Sequence, residues 1–213
     1  MADRPGEPEE LLGRLREGDQ QALAELYSRQ QEGLRRMVAL RLDHRLNGRV
    51  SPSDVLQEAY IDALKRVGHY LAKPDMPFPG WLRLVVGQRL VEVHRQHLGA
   101  KVRNAGQEIS LAHGAWPAAS SVCLAAHLAG DLPTPSEAAA RNESVARLEE
   151  AFNQMDPLDR EILALRHFEE LSNNEVAEIL GVQKAAASKR YVRALARLRA
   201  ALADVPGHSA NQA

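Results

Sequence analysis

The sequence predicts an all-α fold, two small helical domains joined by a long linker, and three observations carry that prediction. Apolar residues recur at helical spacing towards both ends of the chain, cap residues stand at the starts of those segments, and the stretch between them is dominated by Ala, Ser, Gly and Pro. Composition agrees, because 45% hydrophobic residues with only 4% aromatic suits small helical bundles rich in Leu and Ala. The formal net charge of -1 conceals an asymmetry: residues 83 to 103 are basic and residues 143 to 178 mostly acidic. Net charge is therefore a poor guide to partners.

The first domain is expected over residues 9–103. Leu11, Leu12 and Leu15 mark a short helix, and Asp19 is the N-cap of a long one with Leu23, Leu26, Tyr27, Leu34, Met37, Val38 and Leu42 in helical rhythm. Ser51 caps a third helix with Pro52 at its first position, where a missing N–H costs nothing. Residues 68 to 80, GHYLAKPDMPFPG, read as a Gly and Pro loop before a fourth helix from about Trp81 to Leu98. Residues 104–140 read as a linker whose apolar residues are too sparse to bury much, with a brief helix around Ser121 to Leu128. The second domain, residues 141–203, opens with a helix from about Asn142 to Gln154. Another follows, started by Asp156 and Pro157, and the tail from Pro206 is expected to fray.

Residues 171 to 202 carry the sharpest local signal. Ser172 and Glu175 make a capping box, Val176, Ile179 and Leu180 give one apolar face, and Gly181 stands where a left-handed residue closes a helix. A glycine turn between two crossing helices, with the small Ala177 at the crossing, is a helix-turn-helix signature. On the next helix Ala187, Tyr191, Ala194, Leu195, Leu198 and Leu202 share an arc, while Lys189, Arg190, Arg193 and Arg197 cluster across from it. Between Lys184 and Arg199 there are six Lys or Arg and no Asp or Glu, unlike the mixed signs of an ordinary solvated face. That pattern points to DNA, with a merely solvated basic face as the alternative. The third helix carries a second ordered face, Asp54, Gln57, Glu58 and Ile61, opposite its apolar one. By itself that stripe reads as solvated surface more readily than as docking surface.

Two longer strings decide between these readings. SDVLQEAYIDALKR (53–66) followed by FPGWLRLVVGQRLVEVHRQ (78–96) resembles region 2 of bacterial RNA polymerase sigma factors of the extracytoplasmic-function (ECF) type, with Asp54, Gln57 and Glu58 on the D-x-x-Q-E pattern. Residues 155 to 202 resemble their region 4. The resemblance implies that Asp54, Gln57, Glu58 and Ile61 face the clamp helices of the polymerase β′ subunit, with the β flap as a further contact of core enzyme. It implies that the 68–80 loop and fourth helix open and read the -10 element through Tyr70, Phe78, Gln88, His94 and Arg95, extruded bases being read directly. Tyr70 and Phe78 are the stacking candidates of that loop, whereas Trp81, heading an apolar helix, reads as core. It further implies that Gln183, Lys184, Ser188, Lys189, Arg190, Arg193 and Arg197 meet bases or phosphates of the -35 element. Gln88 stands where these factors often have Asn. The alanines at 185–187 cannot donate the bidentate bonds that discriminate bases best, which leaves more of the -35 work to phosphate contact and DNA shape.

On the promoter the two elements lie about 25 base pairs apart, roughly 85 Å. A fully extended 104–140 segment reaches on the order of 120 Å, but a free coil averages only about 35 Å, so polymerase must set the spacing of the two readers. Promoter DNA, core polymerase and an anti-sigma factor are the expected partners. A transcription regulator using only the helix-turn-helix, independent of polymerase, is the rival. No Gly-rich phosphate loop, carboxylate metal cluster or nucleophile–base pair is visible, so neither an enzyme nor a cofactor is expected. His94, His97, His113, Cys123 and His127 lack the paired-cysteine spacing of a metal site. No stretch approaches a membrane span, MADRPGEPEE lacks a signal peptide's apolar region, and the lone Cys123 suits a reducing compartment. The expected location is the cytoplasm.

Overall fold

Residues 7–98, 108–111, 114–130 and 138–203 are described by a computed structural model. Nine helices and one two-stranded hairpin are found among them: α1 Glu7–Arg16, α2 Gln20–Arg41, α3 Pro52–Ala72, α4 Phe78–Leu98, β1 Glu108–Leu111, β2 Gly114–Pro117, α5 Ser121–Gly130, α6 Ala138–Asn153, α7 Pro157–Leu163, α8 Asn173–Leu180 and α9 Lys184–Ala203. A single 3-10 turn, His44–Leu46, follows α2, and a π turn, Ala164–Phe168, extends α7.

The helix starts follow local chemistry. Asp19 accepts from the Gln21 backbone N–H at the head of α2. Ser51 and Asp54 exchange side-chain and backbone bonds as a capping box at α3, and Asp156 accepts from the Leu158 and Asp159 backbone N–H groups at α7. Boundaries near residues 68–80 differ from the expected loop: α3 runs on to Ala72 and α4 already starts at Phe78. Only Lys73–Pro77 lie between them, because the apolar Tyr70 and Phe78 gain more by packing on Trp81 than the Gly and Pro signals cost.

α1–α4 enclose a core of Leu23, Met37, Val38, Leu82, Val86 and Leu90, while α5, α6, α7 and α9 surround Leu124, Leu148, Phe152, Leu163 and Leu198. Neither core is confined to its own end of the chain. Ile162, Leu165, Val176, Ala177, Leu180 and Ala187 join the first, and Leu40 of α2 joins the second.

The expectation that residues 104–140 bury little is corrected here. β1 and β2 pair antiparallel, with Ile109 opposite Trp116, and α5 matches the brief helix expected near Ser121–Leu128. Trp116, Ala119, Leu124, Ala125 and Ala129 are buried. The strap after β2 is tied to α2 by the Ser120 N–H donating to the Leu40 carbonyl at 2.8 Å. Gly87, in the middle of α4, makes room for Trp116: a Cβ there would lie 2.9 Å from the indole Cε3 and 3.2 Å from its Cβ. Glycine costs a helix interior about 1 kcal/mol relative to Ala, which the burial of a large aromatic ring offsets. The expected fraying from Pro206, and His113 among the weighed metal ligands, lie outside the described residues.

Candidate functional site

The helix-turn-helix forms as its sequence dictates. Ser172 Oγ accepts from the Glu175 N–H at 3.3 Å, and the Glu175 carboxylate accepts from the Ser172 N–H at 2.8 Å. At the other end Gly181 adopts φ 63°, ψ 31°, with Val182 N–H donating to the Ala177 carbonyl and Gly181 N–H to that of Glu178. This paired arrangement is a Schellman closure, for which a left-handed glycine is suited. Asn173 donates its amide to the Lys184 carbonyl at 3.0 Å and so holds the head of α9 against the head of α8.

α9 buries Ala187, Ala194 and Leu198. Its basic residues divide into two sets that charge counting cannot distinguish. Arg190, Arg193 and Arg197 converge on the carboxylate of Asp159 in α7, at 2.6, 3.3 and 3.9 Å, and Asp159 is only 1% exposed. The first of these pairs raises the Arg190 pKa, mainly through the hydrogen bond to Asp159. Lys184, Ser188 and Lys189 point to solvent with Gln183, Val192 and Arg199, and Lys184, Lys189 and Arg199 make no ion pair among the described residues. Val192 is 64% exposed, an apolar side chain in the middle of this outward face. The arrangement can present one face of donors and a methyl-bearing side chain to a groove while a strut of arginines fixes the helix to α7.

On α3 the face formed by Gln57, Glu58 and Ile61 is exposed, with Ile61 50% and Leu64 40% accessible. Spaced with Tyr60 and Val67 on the apolar side of α3, Leu64 is nonetheless exposed. Asp54 is exposed, yet its carboxylate is occupied in the capping box, and the Ser51 backbone N–H, followed by the Ser51 hydroxyl, holds its pKa below the usual range. Among the described residues Glu58 makes only a long contact of 3.5 Å with Arg89, whose Nε is committed to Asp62 at 2.8 Å.

Residues expected near the 68–80 loop are dispersed. Tyr70 and Phe78, expected as exposed stacking partners, are both buried: Tyr70 stacks on Trp81 with centroids 4.8 Å apart and donates its hydroxyl to the Met76 carbonyl at 3.0 Å. Their role in this structure is to fix the loop from beneath. His94 is half-buried, its Nε2 accepting from the Asp43 backbone N–H at 3.2 Å. Burial lowers its pKa from the ordinary 6.5, so it is neutral at pH 7 and acts as an acceptor. Gln88 and Arg95 are exposed, Gln88 accepting from Arg66 and Arg95 pairing with Glu92 at 2.6 Å. Sequence reasoning missed Asp159 and Trp116; a buried-position acid after Asp156-Pro157 and the mid-helix Gly87 were the available signals.

Among the described residues no group of three or more His, Cys, Asp or Glu could hold a metal ion, and no helix is long and apolar enough to cross a membrane. Burial raises the Cys123 thiol pKa, and its Sγ lies 3.7 Å from the Leu42 carbonyl, a packed rather than a reactive sulfur.

A first helical bundle with an exposed carboxylate-and-amide face is thus followed by a capped helix-turn-helix. The chain belongs to the ECF sigma factor family, whose profile matches residues 6–204. It is 24% identical over 192 residues to the ECF RNA polymerase sigma factor BldN of Streptomyces coelicolor, covering 89% of this chain and 64% of BldN. It is 25% identical to the RNA polymerase sigma-H factor of Pseudomonas aeruginosa, covering 87% and 89% of the two chains. Among solved structures it resembles CnrH in complex with the cytosolic domain of CnrY, with a TM-score of 0.53 and 21% identity over 91% of this chain and 96% of that one. That likeness bears on the fold.

Proposed function

We propose that this protein binds core RNA polymerase and directs it to promoters, without itself catalysing a reaction, inside the cell where polymerase acts. The observation that carries the reading is the coexistence, in one family-matched chain, of the exposed Gln57–Glu58–Ile61 face on α3 and the outward Lys184–Ser188–Lys189 face on α9. On α3, Glu58 and Gln57 pair with basic groups of the β′ clamp helices while Ile61 supplies apolar contact, and Asp54 contributes chiefly by fixing the helix start. On α9, Gln183, Lys184, Ser188 and Lys189 meet base edges and phosphates of the -35 element. Arg193 and Arg197, about half exposed, add backbone contact, and Arg190 serves as the internal strut. Gln88 and Arg95 line the exposed side of α4 that meets the opened -10 strand, while the buried Tyr70 and Phe78 brace the loop before α4 and His94 accepts from the Asp43 backbone N–H. CnrH was solved with the cytosolic domain of CnrY, which makes an anti-sigma protein a candidate partner here.

Residues 9–103 and 141–203 act as the two readers. Pull-down of core polymerase, followed by transcription from a pooled promoter library, tests the reading. Wild type captures core and yields discrete start sites, and Glu58→Arg weakens core capture about tenfold and lowers transcription with it. A wild-type chain that fails to capture core removes the proposal and leaves the helix-turn-helix as a polymerase-independent regulator.

A further inference from the structure

Among the described residues three large apolar side chains stand exposed, Ile61 and Leu64 on α3 and Val192 on α9. The first two lie beside the face proposed above for core polymerase. Val192 belongs to the other reader, and at 64% it is the most exposed of the three. Nothing within the chain accounts for a valine there. Its branched side chain is a poorer helix former than Ala, Arg or Lys, and in water it recovers none of that difference through burial.

The surroundings of Val192 are those of a surface that meets a groove. On the helical wheel Val192 lies roughly 20° from Ala185, two turns earlier, with Ser188 and Lys189 to either side one turn before it. All four side chains are exposed. Ala185 and Ser188 are short, so the backbone of α9 can come close to whatever it faces, which a valine requires because it reaches little beyond its own Cβ. On the other flank the Arg193 guanidinium is held towards α7, its Nε 3.3 Å from the Asp159 carboxylate. The head of α9 is fixed in turn by the Asn173 amide on the Lys184 carbonyl. Val192 is thus presented on a rigid helix, bordered by cations and covered by none of them.

Resting on the -35 reading proposed above, we propose that Val192 is a specificity-determining residue of α9: in the major groove its methyl groups pack against the 5-methyl group of a thymine and select a T·A pair at one position of the upstream element. Of the four bases only thymine offers an apolar group on that edge. Guanine, adenine and cytosine present acceptors or amino donors there, and a valine seated on them takes a polar group out of water without pairing it. The selection therefore has an attractive and a repulsive part, as discrimination between similar partners requires. It also supplies one directly read position on a helix whose Ala185, Ala186 and Ala187 donate nothing.

The test uses holoenzyme assembled from core polymerase and the full chain, which selects upstream elements from a promoter pool randomised over the -35 region. Each thymine of the selected element is then replaced singly by deoxyuridine, which removes the 5-methyl group and leaves the base pair intact, and binding is compared by competition. For wild type, one replacement is expected to weaken binding about three- to fivefold, the fold-change equivalent of burying one methyl group. Val192→Ser is expected to lose that sensitivity and Val192→Ile to keep it. Serine and valine have similar helix propensities, so the denaturation midpoint should not move and the comparison reads the methyl groups alone. Deoxyuridine costing wild type less than about 1.5-fold at every position, or costing Val192→Ser as much as wild type, overturns the proposal and leaves the promoter-reading function standing. If wild type selects no upstream element at all, that function falls and thymine reading falls with it.

Discussion

α3 and α9 are both amphipathic, both carry an ordered polar face, and the structure treats those faces in opposite ways. On α3 the polar face is left almost unspent: Gln57, Glu58 and Ile61 are exposed, and only Asp54 has a local duty, as the helix cap. On α9 the basic residues are divided, with Arg190, Arg193 and Arg197 drawn to one buried carboxylate and Lys184 and Lys189 left outward. Charge on a helical wheel therefore identifies a surface only after the charges neutralised by neighbouring helices have been subtracted. For α3 nothing had to be subtracted but the cap. For α9 three of the six basic residues are tied to α7, Arg190 most closely.

The largest test of that difference is Asp159→Ala. It removes the carboxylate shared by three arginines and is expected to lower unfolding free energy by about 2 to 3 kcal/mol, less than a fully buried pair because the arginines are half exposed. Denaturant titration measures it, and a loss below about 0.5 kcal/mol would show that the strut is ornamental. Next is Glu58→Arg on α3, which should weaken core polymerase binding about tenfold, near 1.4 kcal/mol, with the denaturation midpoint unmoved. A stability change of similar size would mean that the face is structural after all. Lys189→Ala should reduce -35 duplex binding only a few-fold, uniformly across sequences, and lower the salt slope by about one. Arg190→Ala, by contrast, should change stability more than the salt slope, and the reverse result would restore Arg190 to the DNA face.

Smallest is the effect of pH through His94. Its folded-state pKa lies below the ordinary 6.5, so the stability that neutral His94 contributes is present above about 6.5 and is lost as pH falls through the folded-state value. Thermal unfolding should show a small decline in midpoint below pH 6.5 that His94→Asn flattens. An unchanged slope in the variant would assign the decline to other groups.

What could be read from the chain follows the range of the interactions. Ser51 as a helix cap, Ser172 with Glu175, and Gly181 at its left-handed φ act over three or four residues and are legible, whereas Asp54, read as part of the outward stripe, closes the box with Ser51. Tyr70 and Phe78 were misplaced because Gly and Pro signals nearby suggested a longer loop, whereas the aromatic cluster with Trp81 extends both helices into it. Arg41 with Glu161 and Glu169, and Trp116 over Gly87, join residues far apart in the chain, and no periodicity records them. The Ala, Ser and Pro composition of residues 104–140 concealed Trp116, because one large ring in a fitted seat can anchor a segment whose average hydrophobicity is low.

That seat also equips the molecule with a gauge. The chain has two tryptophans; Trp81 is locked among Tyr70 and Phe78, and Trp116 lies over Gly87 against Arg41 and Arg83. Gly87→Ala would push the second indole out of its seat towards water while leaving the first in place. The emission colour of the unlabelled protein would then report whether that seat is filled.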